Sequence, residues 1–173
     1  MLSRVSGLID RIARGGGYVK AASDGSLSAK NGSSTAAPLW SPVLVGVCSG
    51  NLSLTTSFVD VAGATITLPA VVGKWYVAAS VYFQFSGALD GGANLQAQLV
   101  CAAGATADNA ALVVLNADAS DTGFLATTFQ QWLVTQASGT PVLKLQGKKS
   151  GGTGASTINL THTKLVAVWC GNP

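Results

Sequence analysis

The segment Lys74–Ser86 alternates without a break. Trp75, Val77, Ala79, Val81, Phe83 and Phe85 fall on one face, and Tyr76, Ala78, Ser80, Tyr82, Gln84 and Ser86 on the other. Side chains of a strand point alternately to its two sides, so this pattern dictates a long antiparallel strand with one face in a core. The second face carries two tyrosines, which suit a packed, partly polar contact.

The same grammar extends from about Ala36 onward. Strands are expected near Leu39–Cys48, Leu52–Thr56, Thr65–Leu68, Ala93–Ala102, Ala111–Leu115, Phe124–Gln136, Pro141–Gln146, Ser156–Leu160 and Lys164–Cys170. Turn-formers separate them: Ser49-Gly50-Asn51, Asp90-Gly91-Gly92, Asp121-Thr122-Gly123 and Ser138-Gly139 among others. The last strand is apolar on both faces, which places it centrally or beneath a neighbouring subunit. So many short strands without a helical pattern mean an all-β sandwich or barrel; their number and the length of chain suit an antiparallel jelly-roll sandwich with extra edge strands. No short repeat points to a propeller or a solenoid.

The first 35 residues read differently, so the chain divides into an arm over 1–35 and a sandwich over 36–173. Leu2, Val5, Leu8, Ile9 and Ile12 recur at spacings of three and four, the stripe of an amphipathic helix from about Ser3 to Arg14. Gly15-Gly16-Gly17 ends it. Alone, some three turns are marginal, so the stripe needs a partner surface. From Gly15 to about Thr35 the chain is rich in Gly, Ser and Ala and reads as a linker or extended arm.

Charge follows the same division. The arm holds Arg4, Arg11, Arg14, Lys20 and Lys30 against Asp10 and Asp24, a net 5 − 2 = +3, whereas five lysines and five aspartates leave the body neutral. Only 10% of residues are charged, against about 25% in an average soluble domain. A surface so poor in charge is expected to be covered by other subunits. No stretch reaches the roughly 18 apolar residues of a membrane span. The opening MLSRVSGLIDRIARGGG lacks the continuous hydrophobic core and cleavage site of a secretory signal. Cys48, Cys101 and Cys170 form neither a disulfide framework nor a zinc pattern and read as reduced thiols in apolar strands.

Chemistry is hard to place on this chain. The single histidine, His162, sits in Thr161-His162-Thr163 at an expected turn, and no serine lies in G-x-S-x-G. There is no Glu, and the aspartates fall in turn-like contexts rather than as a carboxylate pair. Asn116, Asp118 and Asp121 match no standard calcium loop. Lys148-Lys149-Ser150-Gly151-Gly152 reverses the order of a phosphate loop and reads as a hairpin tip. Trp40, Trp75, Trp132 and Trp169 suit core or interface packing better than a sugar platform. The expectation is a protein that is not an enzyme, with no cofactor, no metal and no specific nucleic-acid partner.

A few ordered features carry a resemblance: an opening strand with Trp40, Gly73-Lys74-Trp75-Tyr76-Val77 leading into the long strand, Val142–Gln146 before a Gly-rich loop, and the closing Thr163-Lys164-Leu165-Val166-Ala167-Val168. In these the body resembles jelly-roll modules of the tumour necrosis factor and complement globular-head kind. The resemblance implies trimers about a three-fold axis. With its basic amphipathic arm, the chain looks like a tailed-bacteriophage head decoration, or cement, protein. The implied partners are the major capsid protein and two further copies of itself. The implied place is the capsid exterior, after synthesis in the host bacterial cytoplasm. Leu2, Arg4, Val5, Leu8, Ile9, Arg11, Ile12, Arg14 and Lys20 are the expected shell-binding residues, and Tyr76, Tyr82, Trp132, Val166 and Val168 the expected trimer interface. The alternatives are a receptor-binding fibre or spike tip, a polysaccharide- or peptidoglycan-cutting enzyme, and a secreted complement-like head.

Overall fold

In the computed structural model the described residues are 18–21, 27–30, 37–38, 43–85, 94–108, 113–116, 125–151, 154–159 and 161–171. Every element among them is a β-strand. The chain forms two compact units, Met1–Pro42 and Val43–Gly171.

In the first unit, β1 (Tyr18–Ala21), β2 (Leu27–Lys30) and β3 (Ala37–Pro38) make a three-stranded antiparallel sheet in that order. Tyr18 lies opposite Lys30, and Ser28 opposite Pro38. Within the segment read as a linker or extended arm, Tyr18-Val19 and Leu27, its few bulky residues, fall in paired strands. The expected helix over about Ser3–Arg14 lies outside the described residues.

The second unit holds β4 (Val43–Val47), β5 (Leu52–Ser53), β6 (Val59–Thr67), β7 (Gly73–Phe85), β8 (Asn94–Cys101), β9 (Ala105–Ala107), β10 (Val113–Asn116), β11 (Leu125–Gln136), β12 (Val142–Lys149), β13 (Ser156–Ile158) and β14 (Lys164–Gly171). They build two sheets, ordered β10-β8-β12-β6 and β4-β14-β7-β11-β9, with β13 and β5 extending the second. Eight of these strands pair from the outside inward along the sequence. The first, β4, pairs with the last, β14; β6 pairs with β12, β7 with β11, and β8 with β10. That nested antiparallel pairing, split over two sheets, is the jelly roll.

The alternating strand behaves as its sequence demands. In β7 every residue from Gly73 to Phe85 on the Trp75 side is buried, and every one on the Tyr76 side is half-buried or exposed. Trp75, Phe83 and Phe85 pack with Leu68, Leu95, Leu143, Leu145, Ile158 and Leu165 between the sheets. One polar side chain belongs to this core. Gln136 accepts a hydrogen bond from Trp75 Nε1 (2.8 Å) and donates through Nε2 to the carbonyls of Pro69 (2.8 Å) and Gly139 (2.7 Å). It ties the turn before β7 to the β11–β12 connection, and it is tolerated because every polar group involved finds a partner.

The sandwich is drawn together where β4 passes β6. A Cβ on Gly46 would stand 2.6 Å from the Thr65 carbonyl oxygen, and one on Gly63, whose φ is +78°, would strike the Val47 carbonyl. The Ser49 N–H donates to the Ala62 carbonyl at 2.8 Å, linking the chain just past β4 to the middle of β6. Glycine at these two positions lets backbone meet backbone.

Several boundaries move. The strand expected from Leu39 is described from Val43, and the one expected from Thr65 starts at Val59. The strand ending at Gln146 continues to Lys149, and β9 was not anticipated.

Candidate assembly face

The outer side of the β4-β14-β7-β11 sheet is the unusual surface of the second unit. Its residues come from alternate positions, and the strand registers set them side by side in rows. Val43, Val168, Tyr76 and Leu133 form one row; Val45, Val166, Ala78 and Gln131 the next; Val47, Lys164, Ser80 and Phe129 a third. Beyond them Tyr82 lies opposite Thr127, and Gln84 opposite Leu125.

This face is apolar and open. Phe129 is 73% exposed, Val43 61%, Leu125 52%, Val45 51% and Val47 49%. Tyr76 is exposed too, while Val166, Val168 and Leu133 are half-buried by their neighbours on the same sheet. Single exposed apolar residues are ordinary; a contiguous patch running across four strands marks a contact surface.

The opposite side of the second unit contrasts with it. On the outer side of β8-β12-β6, Gln98 Nε2 donates to Gln146 Oε1 (2.9 Å), Gln146 Nε2 donates to Asp60 Oδ1 (2.7 Å), and Lys144 Nζ donates to Asp60 Oδ2 (2.7 Å). The Lys144 ammonium and the Gln146 amide hold the Asp60 carboxyl below its ordinary value of 3.8. Nearby, Lys148 Nζ stands 4.5 Å from the centre of the Phe58 ring. These polar groups satisfy one another and suit contact with water.

Four of the five expected interface residues, Tyr76, Tyr82, Val166 and Val168, converge on the apolar face. Trp132 does not, and its assignment is corrected: it is 2% exposed, points to the inner side of β11 and joins the core. Trp75 is buried and Trp169 packs against the same core, so these tryptophans fill the sandwich. Val43, Val45, Val47, Leu125, Phe129 and Leu133 were not singled out from the sequence, although the Val-x-Val-x-Val spacing of β4 was a signal for three of them.

Of the expected shell-binding residues, Lys20 lies in β1 opposite Ser28. Leu2, Arg4, Val5, Leu8, Ile9, Arg11, Ile12 and Arg14 lie outside the described residues. Asp118 and Asp121 of the calcium candidate do so as well, and Asn116 closes β10. Lys149 Nζ donates to the Gly154 carbonyl at 3.0 Å, within the loop read as a hairpin tip.

The three cysteines are free thiols. Cys48 is buried, Cys170 is exposed, and Cys101 is half-buried, its thiol pushed up by desolvation. Among the described residues no group of three His, Cys, Asp or Glu is gathered to hold a metal ion. Two shallow depressions flank the apolar face. One is lined by Asn51, Gln84, Ala155 and Thr157. The other contains Tyr76 and Asp108, where Asp108 Oδ1 accepts the Leu133 N–H at 3.0 Å. No helix of the described residues is long and apolar enough to cross a membrane.

No family model matches the sequence, and no curated protein matches it. Among solved structures, the chain is similar to Eiger TNF from S. frugiperda, at 12% identity and a TM-score of 0.49, over 78% of this chain and 95% of that one. It is also similar to infectious bursal disease virus, Gx strain, at 15% identity and a TM-score of 0.43, over 81% of this chain and 35% of the viral one. A carbohydrate-binding module from Cellvibrio mixtus lichenase 5A aligns at 15% identity and a TM-score of 0.31, over 73% of this chain and 97% of that one. The jelly-roll fold itself follows from the nested pairing of the strands.

Proposed function

We propose that this chain is a structural, non-catalytic assembly protein: a homotrimer sealed through the outer face of the β4-β14-β7-β11 sheet, which binds the outside of a bacteriophage capsid and reinforces it. The observation that carries the reading is the apolar face from Val43 to Phe129, set against an opposite side of the sandwich on which Asp60, Lys144, Gln146 and Gln98 pair with one another. A protomer with one such face is suited to bury it against further copies and to leave the other side wet.

The shell-binding part rests on the arm. Leu2, Val5, Leu8, Ile9 and Ile12 offer a stripe to a groove between shell subunits, and Arg4, Arg11, Arg14 and Lys20 meet acidic positions that steer docking. Three arms on one trimer make each later contact intramolecular, raising avidity by a factor on the order of 10² to 10⁴. The free thiols suit synthesis in a reducing bacterial cytoplasm.

The test is co-sedimentation with purified phage shells. Wild-type protein is expected to pellet with shells. A variant carrying Arg4→Glu, Arg11→Glu and Arg14→Glu is expected to stay trimeric and remain in the supernatant. Undiminished shell binding by that variant overturns the arm's role, and failure of the wild type to bind shells while it binds cells moves the protein to a fibre tip.

A further inference from the structure

We infer that the copies lock together through one ion pair: Lys164 of each copy enters the depression at the β9 edge of the next and meets Asp108 there. The inference rests on the trimer reading above, because it names the contact that sets how the apolar faces meet.

The face has two unlike halves. On one, the valines of β4 and β14 surround Lys164, which is exposed in the third row between Val47 and Ser80. On the other, β11 presents Leu125, Phe129 and Leu133, and the first row ends at Asp108. Asp108 is fixed twice by the same neighbour. Its N–H donates to the Leu133 carbonyl at 2.8 Å, and its Oδ1 accepts the Leu133 N–H at 3.0 Å. The carboxylate is thereby held at the depression that Tyr76, Gln131 and Leu133 also line. A phenol ring and an aliphatic wall beside one carboxylate suit a side chain with an apolar stem and an ammonium head.

Within one copy the two charges stand too far apart to pair. Lys164 shares the row of Ser80 and Asp108 that of Tyr76, four residues along β7, while β14 and β9 are three strands apart. Strand geometry makes these offsets about 13 Å and about 14 Å, or roughly 20 Å along the diagonal. Covering the rows takes water from Lys164, and a desolvated charge is costly unless a counter-charge meets it. A pair across the contact supplies one, and it penalises any docking that leaves either group alone. The placement also fits a ring. Lys164 and Asp108 lie on opposite flanks of one face, so a copy that gives its lysine to one neighbour keeps its carboxylate for the other. Such head-to-tail contacts repeat until they close. Lys74, half-buried and one row beyond Tyr76, borders the three apolar rows rather than lying within them.

The experiment is sedimentation equilibrium of the full-length chain at fixed pH and ionic strength. Asp108→Asn keeps an oxygen for the Leu133 N–H, and Lys164→Met keeps the stem, so both are expected to retain the wild-type circular dichroism. Each is expected to associate at least ~10-fold more weakly per contact than wild type. Lys74→Met is expected to stay within about twofold. The exchanged protein, Asp108→Lys with Lys164→Asp, is expected to associate more tightly than either reversal alone. Should the exchanged protein not fold, the neutral double variant Asp108→Asn with Lys164→Met decides: it is expected to lose no more than either single variant, because no charge is left alone. Neutral single variants that associate like wild type, an exchanged protein no better than its single reversals, or strictly additive losses in the neutral double each overturn the inference and leave the trimer reading standing. So does a Lys74→Met protein weakened like Asp108→Asn beside an unaffected Lys164→Met. A wild type that is monomeric overturns both.

Discussion

Gln136 shows how much a single buried polar residue decides. At 1% exposure its carboxamide is committed to Trp75, Pro69 and Gly139. Gln136→Leu keeps the volume and strands the buried Trp75 Nε1–H, along with two part-buried carbonyls. The expected loss is about 1–3 kcal/mol in urea unfolding, with the Trp fluorescence of the native state altered; a change within a few tenths of a kcal/mol would mean that the amide is not the tie described. Asp60 is the contrasting residue. Its pair with Lys144 is nearly half exposed on both sides, so screening keeps it to under about 1 kcal/mol. Because the folded carboxyl sits below its ordinary 3.8, the contribution is present above that value and is lost as pH falls through the lower folded one. Asp60→Asn is therefore expected to be slightly less stable than wild type at pH 7 and to equal it near pH 2. A gap that persists undiminished in acid contradicts the assignment.

At the scale of elements, legibility tracked how clean each strand's alternation was. In β7 every apolar residue on the Trp75 side went inward, and the sequence alone assigned both faces. In β11 neither face is uniform: Leu125, Phe129 and Leu133 share one side with Thr127 and Gln131, while Trp132 and Val134 share the other with Thr128 and buried Gln136. Polarity does not choose between them, and Trp132, expected at the trimer interface, lies in the core. In β4 the usual expectation inverts. Val43, Val45 and Val47 point outward because Gly46 must point inward, where β4 runs against the Thr65 backbone. No local pattern reveals a neighbour nineteen residues away. The same crossing gives a test. Gly46→Ala places a methyl 2.6 Å from the Thr65 oxygen and 2.7 Å from its nitrogen, both backbone atoms that yield only if the strands separate. A loss of about 1–3 kcal/mol is expected in chemical denaturation. A variant as stable as wild type means that β4 does not press on β6 as described.

For the whole molecule, the jelly roll was legible because strand number, turn chemistry and the long β7 agreed with one another. The extent of the candidate face was not, since it exists only once β4, β14, β7 and β11 are laid side by side in register. The second unit has two unlike sides, one carrying the paired Gln98, Gln146, Asp60 and Lys144, the other rich in valines and aromatics open to solvent. That asymmetry is the physical basis for reading it as a piece of an assembly. The most direct measurement is the solution mass of the full-length chain by multi-angle light scattering, beside Val45→Asp, a charge set into the exposed face and away from the core. The account predicts three times the chain mass for wild type and one chain mass for the variant, with the same circular dichroism. A monomeric wild type, or a Val45→Asp protein that stays trimeric, contradicts it.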